Sequence, residues 1–174
     1  MADSGYSGLT LEEVAERSGV TRGLIYHYFP RGRQDLFIAA ADRAGHELTK
    51  NWLVDSEVPL EERLAANFAR FFEHALAPSE IWIVHRQARM AGDSEVDEMH
   101  EHYGAIVVSA MAMNHFGTAD PPPPIQAGLR AYINFAESAL DEWREQELDP
   151  EHLYPLLAGT LLAVVDSLRP LSDG

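Results

Sequence analysis

Apolar residues recur along this chain at three- and four-residue intervals, and no stretch alternates apolar with polar side chains over a strand's length. The pattern predicts an all-α fold. The sharpest elements come first. Leu11, Val14, Ala15 and Ser18 share one face of a short helix that Thr10 and Glu13 can open as a capping box, and Gly19 supplies the turn after it. Thr21 then caps a second helix with Ile25, Tyr28 and Phe29 as its buried face, and Pro30 disfavours helical geometry at Phe29 and stops it. Arg22, Gly23, Leu24, Tyr26 and His27 are left outward, where they can touch a nucleic-acid groove.

The remainder divides into about six helices. Arg33 to about Val54 is a long connector with Leu36, Ala40 and Ala44 on one face. Pro59 opens the next, where Leu60, Leu64, Phe68, Phe71, Phe72 and Leu76 repeat at helical spacing. Pro78 starts a short helix bearing Ile81, Trp82, His85 and Met90, which Gly92 ends, and Ser94 caps another that has an acidic first turn and runs to about Phe116. The proline run 121–124 reads as a stiff non-helical spacer before the helix of Leu129, Tyr132, Ile133, Ala136, Leu140 and Trp143. Asp149 and Pro150 open the last helix, which continues to Leu168. Its apolar sector is too wide for one contact with its own core, and Ala158, Gly159 and Ala163 permit close helix crossing. The expected dimer interface is therefore Tyr132, Leu140, Leu157, Leu161, Val164 and Leu168, the alternative being a helix buried centrally in a monomer. Phe68, Phe72, Trp82, His85, Met90, Met111, Phe135 and Trp143 are the expected walls of a pocket for an apolar or aromatic small molecule, although the same stripe also suits ordinary core.

Charge alters this picture locally. The 174 residues carry a net charge of -15, but residues 17–33 hold Arg17, Arg22, Arg31 and Arg33 and no acid. Up to residue 45 there are 5 Lys/Arg against 6 Asp/Glu, and beyond it 8 against 22. An acidic body would be repelled by a phosphate backbone, whereas a confined basic patch can anchor one docking mode. Arg22 suits a guanine edge or a phosphate, Tyr26 and His27 suit phosphate oxygens, and Leu24 suits a thymine methyl.

The run GLTLEEVAERSGVTRGLIYHYFPRGRQDLF resembles the helix-turn-helix of the TetR family of bacterial transcriptional regulators, including its recognition helix and the link into the next helix. That resemblance implies that positions 21, 22, 23, 24, 26 and 27 meet bases and phosphates, and that Thr10 and Arg33 hold the DNA backbone. It also implies a helix-turn-helix headpiece over residues 1–45, a helical effector-binding and dimerisation domain over 46–174, and a four-helix bundle made by the last two helices of each subunit. Two recognition helices one DNA turn apart would then read a palindromic operator. In one respect the chain departs from the family. The family's first helix lies upstream of the position of Gly5, and only MADSGY precedes that part of the match, too short for such a helix. Either the chain begins late or the helix has been lost, and in both cases the headpiece should be incompletely packed and bind its operator more weakly than an extended chain.

Other chemistry finds little support. Cysteine is absent, which excludes disulfides and thiolate chemistry and is compatible with a reducing cytoplasm. No signal peptide opens the chain, and the longest apolar run, Leu156 to Val165, is about half a membrane span. No GxSxG, HExxH, phosphate loop or dinucleotide fingerprint is present, so an enzyme is not expected. His100 and His102 diverge on a helix, and although Glu98 shares a face with His102 and Asp97 with Glu101, such a face is usually solvated, so neither a metal nor a cofactor is expected. The sequence is best read as a cytoplasmic, homodimeric, ligand-responsive regulator, a repressor released from double-stranded DNA by a small effector. The alternative is a dimeric ligand-binding or interaction protein that has lost DNA binding.

Overall fold

The computed structural model describes residues 10–172 other than 51, 53, 54, 56, 76–79 and 91, and leaves out the side chain of residue 74. Among these residues the chain is all-α. Its helices are α1 (Leu11–Ser18), α2 (Arg22–Tyr28), α3 (Arg33–Thr49), α4 (Leu60–Ala75), α5 (Glu80–Arg89), α6 (Ser94–Phe116), α7 (Pro123–Glu145) and α8 (Leu153–Leu168). Short 3₁₀ turns occupy Pro150–His152 and Arg169–Leu171, and there is no strand among the described residues. None of these helices is long and apolar enough to cross a membrane.

Two compact units divide the chain, and neither is continuous in sequence. The first comprises Met1–Leu48 and Ser79–Tyr103, the second Thr49–Pro78 and Gly104–Gly174. The division expected at residue 45 falls inside α3, which runs unbroken through it. In the first unit the core is Phe37, Ala41 and Ala44 of α3 with Val84 and Ala88 of α5 and Val96 of α6. The expected connector face of Leu36, Ala40 and Ala44 is thus turned by about one residue, because Phe37 and Ala41 are the buried pair and Leu36 and Ala40 only half-buried. Further along α3, a Cβ at Gly45 would overlap the ring of Tyr103. The two backbones approach as closely as they do because residue 45 has no side chain. The Tyr103 hydroxyl donates to Asp42 Oδ1 at 2.8 Å, and desolvation followed by that bond pushes the phenol up to about 12.

The second unit packs α7 on α8. Ile125, Leu129, Tyr132, Ala136 and Leu140 of α7 and Leu153, Leu157, Leu161 and Val165 of α8 are buried at three- and four-residue spacing. Each leucine, isoleucine or valine among them contributes about 1.5–3 kcal/mol of transfer free energy, enough for this pair to dominate the unit's stability. Tyr132 adds a fixed point, its hydroxyl donating to the Leu157 carbonyl at 3.0 Å.

Several expected boundaries shift for identifiable reasons. The cap of α6 is Asp93 rather than Ser94: its Oδ1 accepts from the Glu95 and Val96 amides at 3.0 and 3.4 Å. Pro123 and Pro124 lie inside α7 rather than in a spacer. A first turn has no use for their missing N–H groups, so proline is tolerated there. The connector helix ends at Thr49 rather than about Val54, and Leu76, expected on the apolar face of α4, and the expected opening at Pro78 lie outside the described residues, α5 being described from Glu80.

Candidate nucleic-acid interface

The interface begins with local chemistry at residues 10 to 33. Thr10 Oγ1 accepts from the Glu13 amide at 3.3 Å while Glu13 Oε2 accepts from the Thr10 amide at 3.2 Å and from its hydroxyl at 2.9 Å, a complete capping box. The Thr10 hydroxyl, followed by its amide, holds the Glu13 carboxyl below its ordinary range. Gly19 closes α1 in the left-handed region at φ 66, and its N–H reaches the carbonyls of Ala15 and Glu16. Thr21 Oγ1 accepts from the Leu24 amide at 3.2 Å and starts α2, leaving its hydroxyl proton free to be donated outward. The helix stops at Phe29, whose φ of -128 and ψ of 75 fit a residue before proline.

Every expected DNA-contacting residue lies in the first unit and is exposed: Thr10, Thr21, Arg22, Gly23, Leu24, Tyr26, His27 and Arg33. Leu24 and Tyr26 are 44% and 45% exposed, high for side chains of their size. Tyr26 is nevertheless positioned, since a Cβ at Gly32 would lie 3.3 Å from its ring and 3.1 Å from Leu11, in a left-handed turn at φ 64. The assignment of Tyr28 to the buried face is corrected. It is 69% exposed and stands edge-on to His27, with ring centroids 5.1 Å apart, leaving Ile25 as the buried anchor of α2 and Phe29 half-buried. Seven residues of helix make barely two turns, and only one position points fully inward.

Two charge contacts are absent from the local sequence pattern. Glu12 of α1 forms an ion pair with Arg22, so the acid-free run along the chain is not acid-free in space. Arg31, in the turn after α2, donates to Glu95 through Nη1 and Nη2 at 2.5 and 2.9 Å and to Asp35 through Nε at 2.5 Å. Those two carboxylates, Glu95's bonds first, raise the guanidinium well above its ordinary value. The Arg31 side chain and amide in turn hold Glu95 and Asp35, respectively, below the usual carboxylate range. Gln34 Nε2 donates to Asp93 Oδ2 at 2.9 Å beside them. These bonds fasten the turn after the exposed helix to the start of α6. The i,i+4 spacing of Arg31 and Asp35 was a sequence signal for half of this cluster, but Glu95, 64 positions away, had none.

The other expected sites disperse. Trp82, His85 and Met90 belong to the first unit, and Phe68, Phe72, Met111, Phe135 and Trp143 to the second. Met90 is 80% exposed, whereas Trp82, Phe68 and Met111 are buried. Trp143 lines a hollow of about 220 Å³ with Arg144, Glu147, Leu148 and Pro150, and none of the other seven lines it. Phe68, Phe72 and Tyr154 do come together, with ring centroids 5.4 to 6.4 Å apart. Of the expected dimer contacts, Tyr132, Leu140, Leu157 and Leu161 are buried within the chain itself, while Val164 and Leu168 are half-buried. The large apolar side chains left outward on α7 and α8 are Phe135, Tyr154, Leu156 and Leu162. Among the described residues no three His, Asp or Glu side chains are grouped to hold a metal. The expectation of a missing upstream helix falls on residues 1–9, outside the described residues.

Comparison with known proteins bears on the same region. Residues 1–40 match the family model described as bacterial regulatory proteins, tetR family. No curated protein matches the chain. Among solved structures it is similar to the crystal structure of a tetR-family transcriptional regulator from Streptomyces coelicolor, at 23% identity and a TM-score of 0.78, over 95% of this chain and 76% of that one. That likeness extends the shared fold across both units.

Proposed function

We infer from the match of residues 1–40 to the family model of bacterial regulatory proteins, tetR family, that this chain is a member of that family and controls transcription by docking the exposed face of α2 on double-stranded DNA. One observation carries this reading: the capped, glycine-turned helix pair presents Arg22, Gly23, Leu24, Tyr26 and His27 together on one exposed face. An α-helix fits the major groove, and these side chains supply a guanidinium, two polar-tipped rings and an apolar contact for base edges and phosphates. Thr10, Thr21 and Arg33 flank them as backbone contacts. The hydroxyl of Thr10 already donates to Glu13, so a phosphate would have to take that proton over.

In the finer reading the protein acts as a homodimeric repressor in the cytoplasm on a palindromic operator, released by a small effector with an apolar or aromatic body. The leftover face of α7 and α8 favours the dimer. Leu156, Gly159 and Ala163 are exposed at i, i+3 and i+7, with Leu162 and Phe135 beside them, so a second copy could approach closely there.

The test is fluorescence anisotropy with DNA flanking the protein's own gene. Arg22→Ala and Tyr26→Ala should each weaken binding by about 1–3 kcal/mol, and wild-type affinity should fall steeply with salt. Affinity indifferent to both substitutions and to salt would overturn the reading.

A further inference from the structure

All five buried polar or charged residues described, Arg63, Asn67, Asn114, His115 and Glu137, lie in the second unit. A core that only had to hold helices together would not bury them, because a charge or amide taken out of water without full compensation costs several kcal/mol. Arg63 is the extreme case. It is 9% exposed, its Nε has no hydrogen-bond partner, and no ion pair to it is found among the described residues. Asn67 follows one turn later on the same face of α4.

His115 on α6 is the second such group, 8% exposed with Nδ1 lacking a partner among the described residues. Burial, and then the positive charges of Arg169 and Arg63, push its imidazole down to about 4. It is therefore neutral at physiological pH and sits in a positive field, able to offer a hydrogen bond without adding a charge. Glu137 is the acid of the set and has contacts of its own, so it cannot be counted as idle. A buried guanidinium whose Nε has no partner among the described residues and an imidazole whose Nδ1 has none, in one field, are complementary to a carboxylate, which fits a guanidinium fork and accepts from a ring N–H. Apolar surface is available in the same unit, where Phe68 and Phe72, further along α4, stack at 6.2 Å with Tyr154 against them.

We propose that the polar cluster around Arg63 and His115 is the effector site of the second unit, and that it takes a small organic carboxylate with an apolar or aromatic body. This rests on the reading of the protein as an effector-controlled regulator and names the effector's charge. The carboxylate supplies the counter-ion that Arg63 lacks among the described residues, and the rings of α4 receive the rest of the molecule.

The test compares thermal unfolding of the full chain in benzoate, phenylacetate and octanoate with unfolding in the corresponding amides, at matched ionic strength. The acids should raise the midpoint by several degrees and the amides should not, and Arg63→Met should abolish the rise while Arg63→Lys keeps part of it. Without ligand, Arg63→Met should unfold at the wild-type temperature or above, because it removes a buried charge. A lower midpoint would mean that the guanidinium is already satisfied from within and would overturn the proposal. So would an equal response to acids and amides, a response that survives Arg63→Met, or no response to any acid. DNA affinity, measured by anisotropy on the same samples, keeps the two readings apart. Arg63→Met should bind DNA like wild type but fail to be released by the acid, whereas loss of DNA binding in both proteins would defeat the regulator reading without touching the carboxylate site.

Discussion

Glu12 occupies the guanidinium of Arg22, the side chain best suited to a base edge or phosphate. An exposed pair of this kind is worth about 0–1 kcal/mol, so DNA can displace the carboxylate, yet Glu12 still adds a negative charge beside the phosphates. Glu12→Gln should therefore tighten DNA binding a few-fold and steepen its salt dependence, measured by anisotropy across a salt series. Unchanged affinity would mean that Glu12 orients Arg22 rather than competing with DNA. The sequence gives no hint of the pair, because it depends on the angle between α1 and α2. By contrast the Thr10 box, the Gly19 turn and the Thr21 cap were legible, each being decided within about four residues of chain. Tyr28 was misassigned because helical spacing says which side chains are neighbours, not how much of a seven-residue helix has anything to pack on.

Among whole elements, α6 offers the cleanest test of a corrected boundary. Asp93→Ala should destabilise the protein by about 1 kcal/mol, and Ser94→Ala should cost little, as read from urea midpoints. The reverse order would return the cap to Ser94. Asp93 also accepts from Gln34, which adds to its cost and ties the entry of α6 to α3. The apolar period of α7 and α8 announced both helices but not their allegiance. A wide sector shows that a helix is covered on more than one side, and only packing decides which part meets its own subunit. Here Leu157 and Leu161 went inward and Leu156 and Leu162 did not. The polar cluster around Arg63 was illegible for a related reason, since an arginine among Glu61, Glu62 and Ala65 reads as surface until the fold buries it.

For the whole molecule, His115 makes stability depend on pH. Unfolded, it takes a proton near 6.5; folded, not until about 4. The unfolded chain binds more protons in that window, so His115 contributes stability that is complete above about 6.5 and is lost as the pH falls towards about 4. His115→Gln should flatten this part of the curve of unfolding midpoint against pH, and an unchanged slope would place the effect on other groups. The discontinuous build of the first unit reaches further, into how such a protein can be cut and joined. The core of that unit draws Phe37, Ala41 and Ala44 from one stretch and Val84, Ala88 and Val96 from another, with α4 encoded between them. A fragment ending near residue 50 should lack cooperative unfolding by calorimetry, whereas one reaching residue 103 should regain it in part. Residues 10–50 are therefore not a cassette that could be spliced alone to a foreign sensor. Recombination that moves the first unit has to carry a second, distant stretch, residues 79–103, along with the first, so the intervening segment travels with it.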